Sequence, residues 1–184
     1  MIGTIIFLFI LIGMVVVIFS RTKQDYHSNW NLLFPNFKFS TKEFYELIKN
    51  EMNSHDVDGL VFEEVKLKIG NITSSKRLYL RVRWREYFYD LCFAPFGDGC
   101  FVSWWLMFET TEGEEFLTNL PIFGGWIKRT FFPITYYKID TASMFMTYSH
   151  NSILKVIDEI TKETGFRLSE DQRKPNIKDF FVRK

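Results

Sequence analysis

The first twenty residues contain no charged side chain, and Ile5 to Phe19 (IIFLFILIGMVVVIF) contain no polar one. At ~1.5 Å of rise per residue, about 20 apolar residues reach across the ~30 Å core of a bilayer. β-Branched Ile and Val are mediocre helix formers in water. In lipid every backbone group must be bonded internally, so that weakness matters little. A helix buried in a water-soluble fold would carry a polar stripe, and this run has none. A cleaved signal peptide would need a basic n-region and a small residue at −3 from its cleavage site. Met1-Ile2-Gly3-Thr4 holds no Lys or Arg, and Ile18-Phe19-Ser20-Arg21 offers no such site. Residues 1–20 are therefore expected to be an uncleaved transmembrane anchor. Arg21 and Lys23 come directly after it, and the positive-inside rule puts the rest of the chain in the cytoplasm, with the N-terminus outside. The expectation is a single-pass protein of the cell membrane.

Composition bounds the remainder of the chain. The 184 residues are enough for one domain of ordinary size. Hydrophobic residues make up 47% and aromatic ones 18%, which excludes disorder over most of the length. Lys and Arg total 23 against 22 Asp and Glu, so no global basic field exists to attract nucleic acid. Two cysteines exclude a disulfide-stapled mini-domain and a four-cysteine zinc site. Cys92 and Cys100 flank an apparent hairpin tip and would stay reduced in a cytoplasm.

Residues 21–38 read as an irregular juxtamembrane connector, with Trp30, Phe34, Pro35 and Phe37. Residues 39–184 read as one domain. Its first helix starts at a capping box, Ser40 with Glu43, and a hydrophobic staple, Phe39 with Phe44. Phe44, Leu47, Ile48 and Met52 form the apolar stripe. A β-rich middle comes next. Val61, Val65, Leu67 and Ile69 alternate with charges; Leu78, Leu80, Val82 and Trp84 do the same. After Glu86 the parity flips, which marks a bulge or a break between strands. Ala94 to Gly99 is a turn, and Cys100 to Phe108 is apolar on both faces. These segments predict an antiparallel meander.

Residues 116–134 show no clear period and combine aromatics, Gly124-Gly125, two prolines and Lys128-Arg129. Trp126, Lys128, Arg129, Phe131 and Phe132 are the candidates for contact with a lipid interface; the plainer alternative is a loop or short strands that finish the core. A last helix has Asp140 and Thr141 as candidate N-caps, an Ile153, Val156, Ile157, Ile160 stripe and Gly165 at C′. Residues 141–152 fit either the same helix or a separate piece.

Chemistry is sparse. No phosphate-binding glycine loop, zinc-protease helix, nucleophile elbow or C-x-x-C is present. His55, Asp56 and Asp58 fit a polar turn better than a metal loop, because further ligands are missing. Cys92 or Cys100 could pair with His150 as nucleophile and base, but spacing alone does not favour it. The most specific feature is Arg81, Arg83 and Arg85. A spacing of two puts three guanidinium forks on one strand face, where they suit phosphate or carboxylate groups. Tyr79 extends that face, and Gly97 and Gly99 could add backbone donors. The competing reading is a solvated face paired with Glu63 or Glu64.

The sequence thus predicts an α+β fold: a transmembrane helix, then an antiparallel meander with two or three packed helices. The expected function is a membrane-anchored, non-catalytic binding or regulatory module, or an accessory subunit of a membrane assembly. The first alternative is a signal-gated effector that binds a phosphorylated small molecule and perturbs the membrane. The second is an enzyme acting on a membrane-bound substrate. Expected partners are the bilayer, a protein partner or a second copy, and a small anionic ligand. No cofactor, metal or nucleic acid is expected.

Overall fold

The computed structural model describes residues 22–68, 76–111, 113, 117–131 and 135–178. Along the chain run β1 (Thr22–Phe34), α1 (Thr41–Asn53), β2 (Val61–Lys68), β3 (Lys76–Trp84), β4 (Tyr87–Phe96) and β5 (Gly99–Thr111). Then come α2 (Gly124–Phe131), α3 (Tyr136–Ile160) and β6 (Asn176–Ile177). The fold is α+β, with one six-stranded antiparallel sheet in the order β2-β3-β4-β5-β1-β6. The chain divides into two compact units. The larger comprises residues 26–107 and 140–184, and the smaller residues 1–25 and 108–139.

The meander expected from alternation is present as β2 to β5. Its parity flip at Glu86 is a two-residue hairpin turn: Trp84 pairs with Tyr87, and Arg85 takes a positive φ of 56° to reverse the chain. β4 is buried from Tyr87 through Phe93, on both faces. On one face Tyr87, Tyr89, Leu91 and Phe93 join Leu80 and Val82 and meet the helices. Tyr89 stacks on Trp104 of β5 with centroids 4.7 Å apart and lies edge-on to Phe145 of α3.

α1 starts as its sequence predicts. Ser40 is the N-cap and accepts from the Glu43 backbone N–H, while Phe39 and Phe44 meet on the ring of Phe93. Its buried face includes Tyr45, which the apolar stripe omits. β3 and β4 pair only from Leu80–Leu91 to Trp84–Tyr87. Beyond Leu91 the Tyr45 hydroxyl takes the place of the next rung. It donates toward the Leu78 and Leu91 carbonyls, at 3.0 and 3.2 Å, and accepts from the Phe93 N–H at 3.2 Å. Burial drives the phenol pKa far up, which keeps this donor protonated.

α3 is one helix of 25 residues. Its cap is Thr135, whose hydroxyl accepts from the Lys138 N–H, so Asp140 and Thr141 lie inside it. Gly165 adopts the left-handed conformation, as expected, after one added turn of 3-10 helix at Lys162–Thr164.

Two expectations are corrected. Among the described residues no helix is long and apolar enough to cross a membrane. α3 has the length, at ~37 Å, but it carries Lys138, Asp140, Lys155, Asp158 and Glu159. The description as a single-pass membrane protein with a signal-anchor and a cytoplasmic domain is therefore not carried by the fold. The run behind it, residues 1–20, lies outside the described residues. The connector assigned to 21–38 is also not irregular, since most of it is β1. Its alternation is hidden by Asn and His, and tertiary burial of Trp30 and Phe34 decides the strand instead.

Replacing Tyr45 with Phe removes one oxygen but leaves the buried Phe93 N–H and the half-buried Leu78 carbonyl without their partner. Chemical unfolding should show a loss of about 1–3 kcal/mol, much larger than the loss from the surface change Lys42→Ala on the same helix.

Candidate functional site

The strand register lays two rows across β2, β3 and β4. Glu63, Arg81 and Asp90 form one row; Val61, Arg83 and Phe88 form the next. Arg81 and Asp90 are 8% and 6% exposed. The guanidinium meets the carboxylate bidentately, Nε to Oδ1 at 2.6 Å and Nη2 to Oδ2 at 2.7 Å. Phe88 lies beneath, with the Arg81 and Arg83 guanidinium carbons 4.6 and 5.5 Å from its ring centroid. Arg83 reaches Glu63 at 3.6 Å and is about a third exposed. Arg85 sits in the hairpin turn with its guanidinium over Trp84. An incoming anion would have to displace the buried Asp90 carboxylate from Arg81. The geometry is that of a clip between β3 and β4 rather than a receptor.

The other residues proposed for this face are placed separately. Tyr79 is half-buried beside Cys92, and burial raises its pKa. Gly97 and Gly99 lie at the β4–β5 turn, roughly 23 Å along the strand from Asp90, too far to join the arginines. Gly97 turns the chain with φ 63°. A Cβ at Gly99 would collide with the Phe34 carbonyl, so that glycine lets β5 begin against the end of β1.

The nucleophile and base candidates are occupied by packing. Cys92 and Cys100 are both free and buried. Burial raises the Cys92 thiol pKa, against the opposing pull of Arg77, Tyr79 and Ser103 beside it, so its reactive thiolate form is suppressed. His150 is held on both ring nitrogens. The Trp104 indole N–H can only donate, so Nδ1 accepts from it at 3.1 Å. Nε2 therefore carries the proton and donates to the Arg173 carbonyl at 2.6 Å. Burial lowers the His150 pKa. His55 bonds Glu51, which also pairs with Lys155 and so ties α1 to α3. Among the described residues no group of three or more His, Cys, Asp or Glu could hold a metal.

In the smaller unit, Trp126 of α2 is exposed, and Arg129 folds its Nε back to the Gly125 carbonyl. Phe132 lies outside the described residues, as do the side chains of Lys128 and Phe131. Four neighbours that the sequence pattern does not single out are exposed as well: Ile122, Phe123, Tyr136 and Tyr137.

Sequence reasoning also missed Asp90 as the partner of Arg81, although a signal exists. A lone acid inside YFYDLCF demands a cation, and a two-residue turn at Arg85-Glu86 sets Arg81 opposite it.

Arg81→Ala strands a buried carboxylate and should cost about 3–5 kcal/mol in denaturant unfolding, while Arg83→Ala should cost about 1 kcal/mol or less. For His150 the folded pKa lies below the unfolded value of about 6.5. The unfolded state therefore binds protons first as pH falls, and stability present above that value is lost below it. The urea midpoint should drop between neutral pH and about pH 5, and His150→Gln should flatten the drop. No protein-family model, curated protein or solved structure matches this chain.

Proposed function

We propose that the protein is a non-catalytic binding or regulatory module that docks a partner protein through the exposed side chains of Ile122, Phe123, Trp126, Tyr136 and Tyr137. The observation that carries this reading is the exposure there: Ile122 82%, Phe123 62%, Trp126 57%, Tyr136 76% and Tyr137 71%. Large exposed apolar groups mark docking sites, and Trp, Tyr and Phe are the types enriched at interface centres. Residues 116–139 also contain Lys128, Arg129 and Lys138 and no Asp or Glu. The complementary partner presents an apolar groove rimmed by carboxylates.

The alternatives have less support. An effector gated by a phosphorylated ligand on the arginine row would have to break the Arg81–Asp90 clip. An enzyme using Cys92 and His150 would need a thiolate and a base that are both engaged in packing.

A photo-crosslinking side chain at Phe123 of the full-length protein tests the reading in its native cell. One discrete protein adduct is expected. It should fall at least tenfold when Trp126→Ser is added, in a variant whose retained fold is checked by its melting curve. Adducts to lipid alone, or none, would overturn the partner-protein reading.

A further inference from the structure

α3 ends at Ile160, and the Lys162–Thr164 turn and Gly165 then reverse the chain. The reversal leaves two clefts that share a wall made by Gly165 and Phe166. The first, about 260 Å³, opens among Phe34, Pro35, Phe37 and Phe166. Its rings form a connected group: Phe34 lies 5.1 Å from Phe166 and 6.0 Å from Phe37, centroid to centroid. Two threonines also line this cleft, but their hydroxyls donate to the Ile157 and Thr161 carbonyls. The first cleft thus offers aromatic faces, with the exposed Asn36 amide as its remaining polar side chain.

The second cleft, about 300 Å³, is lined by Asp158, Lys162, Arg167 and Arg173 around the same wall. Asp158 is compensated by Arg173, Nη2 to Oδ1 at 2.7 Å. Lys162 and Arg167 have no ion pair among the described residues, so the cleft keeps two uncompensated positive charges. Each cleft alone is near the small end of ligand sites, and the two together fall inside the range of roughly 300–1,000 Å³.

We propose that the paired clefts bind a small aromatic anion, an aryl phosphate or carboxylate, with its ring against Phe37 and Phe166 and its anionic group on Lys162 and Arg167. The ring gains by burial and stacking, and the charge by hydrogen bonds from two cationic donors. The halves are complementary: the ring cleft carries no charged side chain, and the cationic cleft has Phe166 alone as an aromatic surface. This site shares no residue with the Arg81 row, whose guanidinium is already occupied, or with the exposed side chains among residues 122–137.

Phenyl phosphate titrated into the full-length protein, followed by calorimetry, tests it, with inorganic phosphate and phenol as the two half-ligands. Phenyl phosphate should bind at least tenfold tighter than either half. Lys162→Gln with Arg167→Gln should weaken it at least tenfold, and both positions are exposed, so the melting temperature should hold. Phe166→Leu keeps the wall apolar but removes the ring face. It should weaken phenyl phosphate severalfold while leaving the response to inorganic phosphate unchanged. Equal binding of phenyl phosphate and inorganic phosphate, or unchanged binding in the charge variant, would overturn the proposal.

Discussion

The hydroxyl of Tyr45 is the point on which the helix-to-sheet arrangement depends. β3 and β4 diverge after Leu80–Leu91, and the phenol enters the gap to take up Leu78, Leu91 and Phe93 backbone groups. A buried strand end with unpaired backbone would be costly. Helix α1 supplies the missing partner from its own side chain, so its rotation and height on the sheet are fixed by hydrogen bonds. The Phe44–Phe93 stack, 4.3 Å between centroids, adds area but little direction.

The same use of polar groups recurs through the larger unit. Asp90 ties Arg81 across β3 and β4. Glu51 joins α1 to α3 through Lys155, and His150 links Trp104 of β5 to the Arg173 carbonyl beyond α3. The Trp30 indole donates to the Gln172 carbonyl and holds the neighbouring residue of that same returning segment. Each of these residues has the chemistry of a catalytic or ligand-binding group. Each is instead committed to joining two elements of the fold. This commitment moves the functional candidates outward, to the exposed aromatics among residues 122–137 and to the clefts past α3.

Local signals in the sequence located much of the α+β plan. Ser40 and Glu43 announce α1, Gly165 announces the chain reversal, and alternation in β2 and β3 gives the hairpin strands. These are short-range effects: a cap satisfies N–H groups within a turn, and alternation reflects the two faces of one strand. The Glu86 parity flip was legible as a break for the same reason. β1 was not legible, because its residues form a strand only through pairing with β5 and β6, which lie far along the chain. The N-cap of α3 was expected at Asp140 or Thr141, but the helix starts more than a turn of helix earlier behind Thr135, and Thr141 and Ala142 are buried within it.

By itself, the sequence determined that three arginines, Arg81, Arg83 and Arg85, are spaced for one strand face, that Cys92 and Cys100 bracket a turn, and that residues 116–134 combine aromatics, glycines and a basic pair without a clear period. Only the tertiary structure decided what those residues do. It set Asp90 against Arg81, took Arg85 out of the row into a turn, placed Gly99 beneath the Phe34 carbonyl and left Phe123 and Trp126 exposed. The physical reason is that a side chain's role depends on its desolvation and on the charge facing it, and both come from strands and helices brought together over long separations.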